Sequence, residues 1–148
     1  MEHVELRIAI KASQDSVWRA ITDWTRQGEW MFATKVEVTS EISHDVGASL
    51  AAFTGFGPLG FLDTMVVTHW EPPVRCDVNH TGRVVQGTGT FIVERVSDNE
   101  SVFVWSEDLT IPLGAAGRFG FTLTKPFFLA GVRQSLKKFA TLVEEQKL

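Results

Sequence analysis

Two acid–base residues are set apart by the company they keep. In the stretch SVFVWSEDLTI, residues 101 to 111, Phe103, Trp105, Glu107, Leu109 and Ile111 fall on one parity. Val102, Val104, Ser106, Asp108 and Thr110 fall on the other. Side chains of an extended strand alternate between its two faces. The bulkier set is therefore expected to face the interior and to carry Glu107 with it. A carboxylate among aromatic and aliphatic side chains has its charged form penalised and its pKa raised, which makes it a candidate acid, base or anchoring acceptor. The alternatives are a Glu107 that reaches the rim, or one that pairs with an arginine such as Arg118. The same parity in CDVNHT, residues 76 to 81, groups Cys76, Val78 and His80 and points His80 inward near its strand's end. A neutral imidazole there can hydrogen-bond a carbonyl or hydroxyl, or move a proton. A turn-proximal histidine facing water is the other reading. His69 is harder to place, because two prolines follow closely.

Other chemistries find less support. Histidines 3, 44, 69 and 80 form no cluster with cysteine or carboxylate at ligand spacing, so neither metal nor cofactor is expected. Cys76 is the single cysteine and sits in an apolar strand. It can form no internal disulfide, it reads as inert, and a cytoplasmic location is expected. Gly114, Gly117 and Gly120 lack the spacing of a phosphate-binding loop after a parallel strand, and read as a mobile loop at the mouth of a cavity. A formal charge of −4 gives no reason to expect nucleic acid. No apolar run approaches the roughly 20 residues of a spanning helix, so an integral membrane protein is not expected. Glu2, Glu5 and Arg7 interrupt the first apolar residues, unlike a signal peptide.

The elements that position Glu107 and His80 follow from periodicity. The chain has 148 residues, 44% of them hydrophobic, enough for one domain over 1–148 with a sizeable core. Eleven phenylalanines and five tryptophans without a tyrosine point to a large core or an apolar cavity. Residues 4–11 alternate as a strand. Ser13 caps a short helix ending near Trp24, and a second runs to Gly28. Strands follow over 35–39, 49–54, 62–70, 75–81, 83–96 and 101–111. A flexible oily connection spans 55–60, and Glu71-Pro72-Pro73-Val74 forms a hairpin turn, since proline cannot donate to a ladder. Gly87 and Gly89 inside a strand suggest a bend or bulge. A helix opens at Thr124-Lys125-Pro126 and reaches nearly to Leu148, with Phe128, Val132, Leu136, Phe139 and Val143 as one apolar stripe.

This order predicts an α+β fold: a curved antiparallel sheet of about six to seven strands around one long C-terminal helix, with two short helices after the first strand. The stretches IAIKASQDSVWRAITDW, VVTHWEPPVRC, GTGTFIVERVSDNESVFVWSEDLTIPLG and GVRQSLKKFATLVEE carry a resemblance over nearly the whole chain. The sequence resembles the START-like, or SRPBCC, helix-grip superfamily, which includes polyketide cyclase/dehydrase and lipid-transport proteins, and the resemblance implies the helix-grip fold. The resemblance implies a cavity for a hydrophobic ligand; some members catalyse cyclisation or dehydration.

A single helix cannot fill a wide curved sheet, so a space between the two is expected. Its lining would be Val78, His80, Phe91, Phe103, Trp105 and Glu107 from the strands and Phe128, Val132 and Leu136 from the helix. Phe56, Leu59 and Phe61 would stand at an entrance, and Trp24 and Trp30 at the end where the resemblance places the cavity. For each of these, simple packing is the alternative. Three functions follow: binding or transport of a small lipophilic molecule, a cyclase/dehydratase-like enzyme using Glu107 and His80, or a protein-interaction module without a ligand. Val102 and Val104 on the outer face leave a homodimer open.

Overall fold

The computed structural model describes residues 1–148. The chain runs β1 (Glu2–Ile10), α1 (Gln14–Ile21), a 3-10 helix (Trp24–Glu29), β2 (Thr34–Val38), β3 (Ser49–Phe56), β4 (Leu59–Glu71), β5 (Arg75–Thr81), β6 (Gln86–Ser97), β7 (Glu100–Leu109) and α2 (Gly114–Glu144). The strands form one antiparallel sheet in the order β1-β7-β6-β5-β4-β3-β2. This is the helix-grip arrangement that the sequence predicts. Ser13 caps α1 by accepting from the Ser16 N–H at 3.2 Å. Pro72 and Pro73 stand in the β4–β5 turn, where the Val74 N–H donates to the Glu71 carbonyl at 2.7 Å.

Register decides which side chains meet. Val4, Glu107, Gly89, Val78 and Val67 form one row across five strands. Leu6, Trp105, Phe91, Cys76 and Trp70 form a second, and Leu109, Gly87, His80, Met65 and Leu50 a third. These rows belong to the face that meets α2. At their centre Phe139 of α2 packs between Trp30 and Phe103, with ring centroids 4.9 and 5.8 Å away. Burying a side chain of this size contributes about 2–3 kcal/mol.

Several sequence expectations are corrected. Residues 55–60 are no flexible connection: β3 and β4 pair out to Phe56 and Leu59, leaving a two-residue turn at Gly57-Pro58. The glycine-rich stretch 113–120 is no mouth loop but the start of α2, which begins ten residues before Thr124 and contains Pro126 in its interior. The register of β6 is unbroken at Gly87 and Gly89; the irregularities fall at Val67/His69 and Arg95/Ser97. Val104 is buried although it lies outside the core cluster, opposite Arg7 and Ile92 on the outer face.

The largest difference concerns how α2 meets the sheet. The predicted stripe is continuous, but only Leu136, Phe139 and Val143 of it are buried, together with Ser135 and Ala140. No residue from 114 to 134 is buried. Val132 is half-buried and Phe128 is 41% exposed. The helix buries only its last third against the sheet; of the rest, Phe121, Leu129 and Val132 are partly buried against the core.

Candidate functional site

β4, β5 and β7 bring three ionisable groups together on the sheet face that meets α2. His80 Nε2 lies 2.8 Å from Glu107 Oε2, and His80 Nδ1 lies 2.9 Å from Asp63 Oδ1. Glu107 stands on β7 and His80 on β5, so the carboxylate has to reach across β6, a span of about 9–10 Å between outer strands. It can do so because β6 presents Gly89 directly beside it. A Cβ on Gly89 would sit 2.8 and 2.9 Å from the two carboxylate oxygens of Glu107, closer than packed atoms approach. Gly87 has φ +121, and a Cβ there would meet the Asp108 carbonyl. Gly89 thus clears a path for Glu107, Gly87 admits the close backbone of β7, and neither makes a bulge.

Asp63 comes from the strand on the far side. Its neighbour Met65 pairs with His80, and Asp63 shares a face with Met65 and Val67. The imidazole is thus held at both edges by carboxylates that flank the ring. No group of three or more His, Cys, Asp or Glu side chains is arranged to hold a metal ion.

Burial pushes the His80 pKa down, but the hydrogen bonds and charges of Asp63 and Glu107 outweigh it and carry it up to about 10. Burial raises the Glu107 pKa, and the His80 hydrogen bond and charge only partly offset this. Burial thus favours the neutral form of Glu107, while the two carboxylates favour the charged form of His80. Glu107 Oε1 and Asp63 Oδ2 have no hydrogen-bond partner in the protein. Neither is sealed from solvent, since Trp30 Nε1 is the one fully buried side-chain nitrogen or oxygen without a partner.

Parity places Glu107 and His80 inward, and both are buried on the face that meets α2. Arg118 makes no contact with Glu107, whose partner is His80. Val78, Phe91, Phe103 and Trp105 share that face, with the Phe91 and Phe103 rings 5.5 Å apart. Phe128 stands 6.0 Å above Trp105. Leu136 is part of the buried core beneath Val132. Phe56 and Leu59 flank the β3–β4 turn, strongly exposed, and Phe56 packs edge-on against Phe32 at 5.8 Å. Phe61 is 41% exposed on the same hairpin. Trp24 is buried beside His44 and Trp70, and its indole N–H donates to the Ser43 carbonyl at 2.7 Å, so it has no donor to offer. Trp30 is buried against Phe139. His69 pairs with Glu71 at the surface.

Asp63 escaped the sequence reading. Its signal lay in FLDTMVV, where it is an acidic residue on the parity of Phe61, Met65 and Val67. Two pockets of about 340 and 380 Å³ lie elsewhere, one lined by Ser16, Arg19, Asp23, Arg26 and Leu148 and the other by Asp15, Trp18, Arg19, Pro72 and Pro73. Neither contains the cluster. Cys76 is buried, and its thiol is pushed up to about 12 chiefly by that burial, so no nucleophile is offered.

A family model described as "Polyketide cyclase / dehydrase and lipid transport" matches residues 1–144. No curated protein sequence matches the chain. Among solved structures, Zhui aromatase/cyclase from Streptomyces sp. R1128 is similar with a TM-score of 0.82 at 14% identity, covering 99% of this chain and 96% of that one. Norcoclaurine synthase from Thalictrum flavum, a point mutant in complex with a transition-state analogue, aligns with a TM-score of 0.69 at 15% identity over 99% of this chain and 96% of its own. The di-domain ARO/CYC protein BexL aligns with a TM-score of 0.74 at 18% identity, over 97% of this chain and 47% of that one. At such identities the likeness is one of fold.

Proposed function

The chain belongs to the polyketide cyclase/dehydrase and lipid transport family, and from this premise we propose that it binds a small, largely apolar molecule in the cleft between the sheet and the first half of α2. A carbonyl or hydroxyl of that molecule is held at Glu107 and His80. One observation carries the reading: an Asp63–His80–Glu107 cluster with an unpartnered, incompletely buried carboxyl oxygen sits among Val78, Phe91 and Trp105 on the sheet face beneath α2. Burying three ionisable groups costs stability that apolar residues of the same volume would not forfeit. A cluster of this kind suits recognition of a polar atom on a greasy molecule. The partner is a small lipophilic molecule, with neither nucleic acid nor membrane span involved, and the single cysteine suits a cytoplasmic setting. Native mass spectrometry of the protein from its own host should find a co-purified hydrophobic molecule. Its absence, together with no binding of fluorescent apolar probes, would sink the proposal.

A second reading, proton transfer to the bound molecule, is favoured by the 2.8 Å contact between His80 and a Glu107 whose pKa burial raises. In a cyclisation or dehydration, the Glu107 carboxyl would give its proton to an oxygen of the bound molecule, with His80 holding the carboxylate that results. Glu107→Gln should then lower turnover of a poly-β-ketone substrate by about 10²–10⁴, with ligand affinity changed by far less. Equal losses in both would leave binding as the whole function.

A further inference from the structure

The first part of α2 turns one apolar side towards the cleft and a second towards solvent. Phe119, Leu123 and Phe127 are 68%, 59% and 80% exposed. At 100° per residue, Phe119, Leu123 and Phe127, with Pro126 and Ala130 beside them, form a stripe on the side opposite Phe128, Val132 and Phe139. Arg133 and Lys137 extend the same stripe by two further turns, both exposed. The helix that carries it has Arg118, Lys125, Arg133, Lys137 and Lys138 and no acidic residue before Glu144, in a protein whose net charge is −4. Lys125 lies 3.6 Å from Glu2; Arg118, Arg133 and Lys137 form no ion pair. A helix apolar on both sides is one that expects cover on both.

The geometry points to a lipid surface carrying anionic headgroups as the cover for this outer stripe. Phe119, Leu123 and Phe127 enter the boundary between headgroups and acyl chains, and Arg133 and Lys137 meet headgroup phosphates. The helix then lies on the membrane. It does not span one, for no helix here is long and apolar enough to cross. Charge argues against a second copy of the chain as the cover. Parallel stripes would set Arg133 and Lys137 against their own kind, and antiparallel ones would bury them on Phe119 and Leu123. The inference does not depend on what the cleft holds, because the outer stripe faces away from it.

Vesicle co-sedimentation tests this with the full chain, using phosphatidylcholine alone and phosphatidylcholine with about 30% phosphatidylglycerol. Binding is expected to the mixed vesicles, weaker in high salt, and at least about tenfold weaker for Arg133→Glu with Lys137→Glu. Leu123→Ser with Phe127→Ser should abolish it. All four residues are exposed, so thermal unfolding should match the parent, and a variant that unfolds early is replaced by Phe119→Ser with Leu123→Ser. Three results overturn the proposal: no binding to mixed vesicles, equal binding to both vesicle types, or a dimer in solution that the serine variants dissociate. A protein partner taking this face would appear as the first of these.

Discussion

Asp63 and Glu107 grip the His80 ring from opposite edges, and that arrangement has a defined pH signature. His80 titrates at about 10 in the folded protein, above its ordinary 6.5. Its contribution to stability is therefore fully present below about pH 6.5 and is lost as pH rises towards 10. Glu107 acts in the same sense, because its folded pKa is also raised; its contribution is present at low pH and lost as pH climbs through that raised value. Urea unfolding followed from about pH 6.5 to about pH 10 should give falling stability, and His80→Gln should flatten the decline. Gly89→Ala is the sharper probe. Its Cβ would displace the Glu107 carboxyl from His80, at a cost of about 1–2 kcal/mol. NMR titration of the His80 ring should then show a pKa below the parent's. An unchanged value would mean that Gly89 does not make the room on which the contact depends.

α2 divides into two parts of different energetic weight. Phe139 is fully buried between Trp30 and Phe103, so Phe139→Ala should cost about 3–5 kcal/mol in chemical denaturation. Phe127→Ala, on the exposed stripe, should stay within about 0.5 kcal/mol. Amides of residues 114–134 should also exchange with solvent faster than those of 135–144 in hydrogen-exchange mass spectrometry. Equal protection would contradict the division. The spacing of Phe128, Val132, Leu136, Phe139 and Val143 was legible in the sequence as a single face. Where the sheet stops beneath that face was not, because periodicity ranks residues around a helix and says nothing about the extent of the surface opposite. The glycines at 114, 117 and 120 misled for a related reason. Each weakens a helix by only about 1 kcal/mol, which the continuing hydrogen-bond ladder overrides.

On the scale of the whole chain, the strands and their order were legible because alternation, turn residues and the Pro72-Pro73 break each mark a local boundary. The site was half legible. Parity along single strands set Glu107 and His80 on the inner face, but their meeting depends on register across β5, β6 and β7, which no single strand encodes. Asp63 needed the same cross-strand knowledge. A molecule occupying the cleft at about a hundred times its dissociation constant should raise unfolding free energy by about 2.7 kcal/mol. A thermal-shift titration with a co-purified molecule would measure that gain, and no shift would place the molecule outside the folded state.

α2 is anchored from Ser135 onward, and Pro126 before that point supplies no N–H to the helical ladder. The hold upstream of that anchor is lighter: Phe121, Leu129 and Val132 only partly cover the core, and Phe128 rests on Trp105. A substitution there disturbs a surface contact, whereas the same loss after Ser135 opens the centre of the molecule.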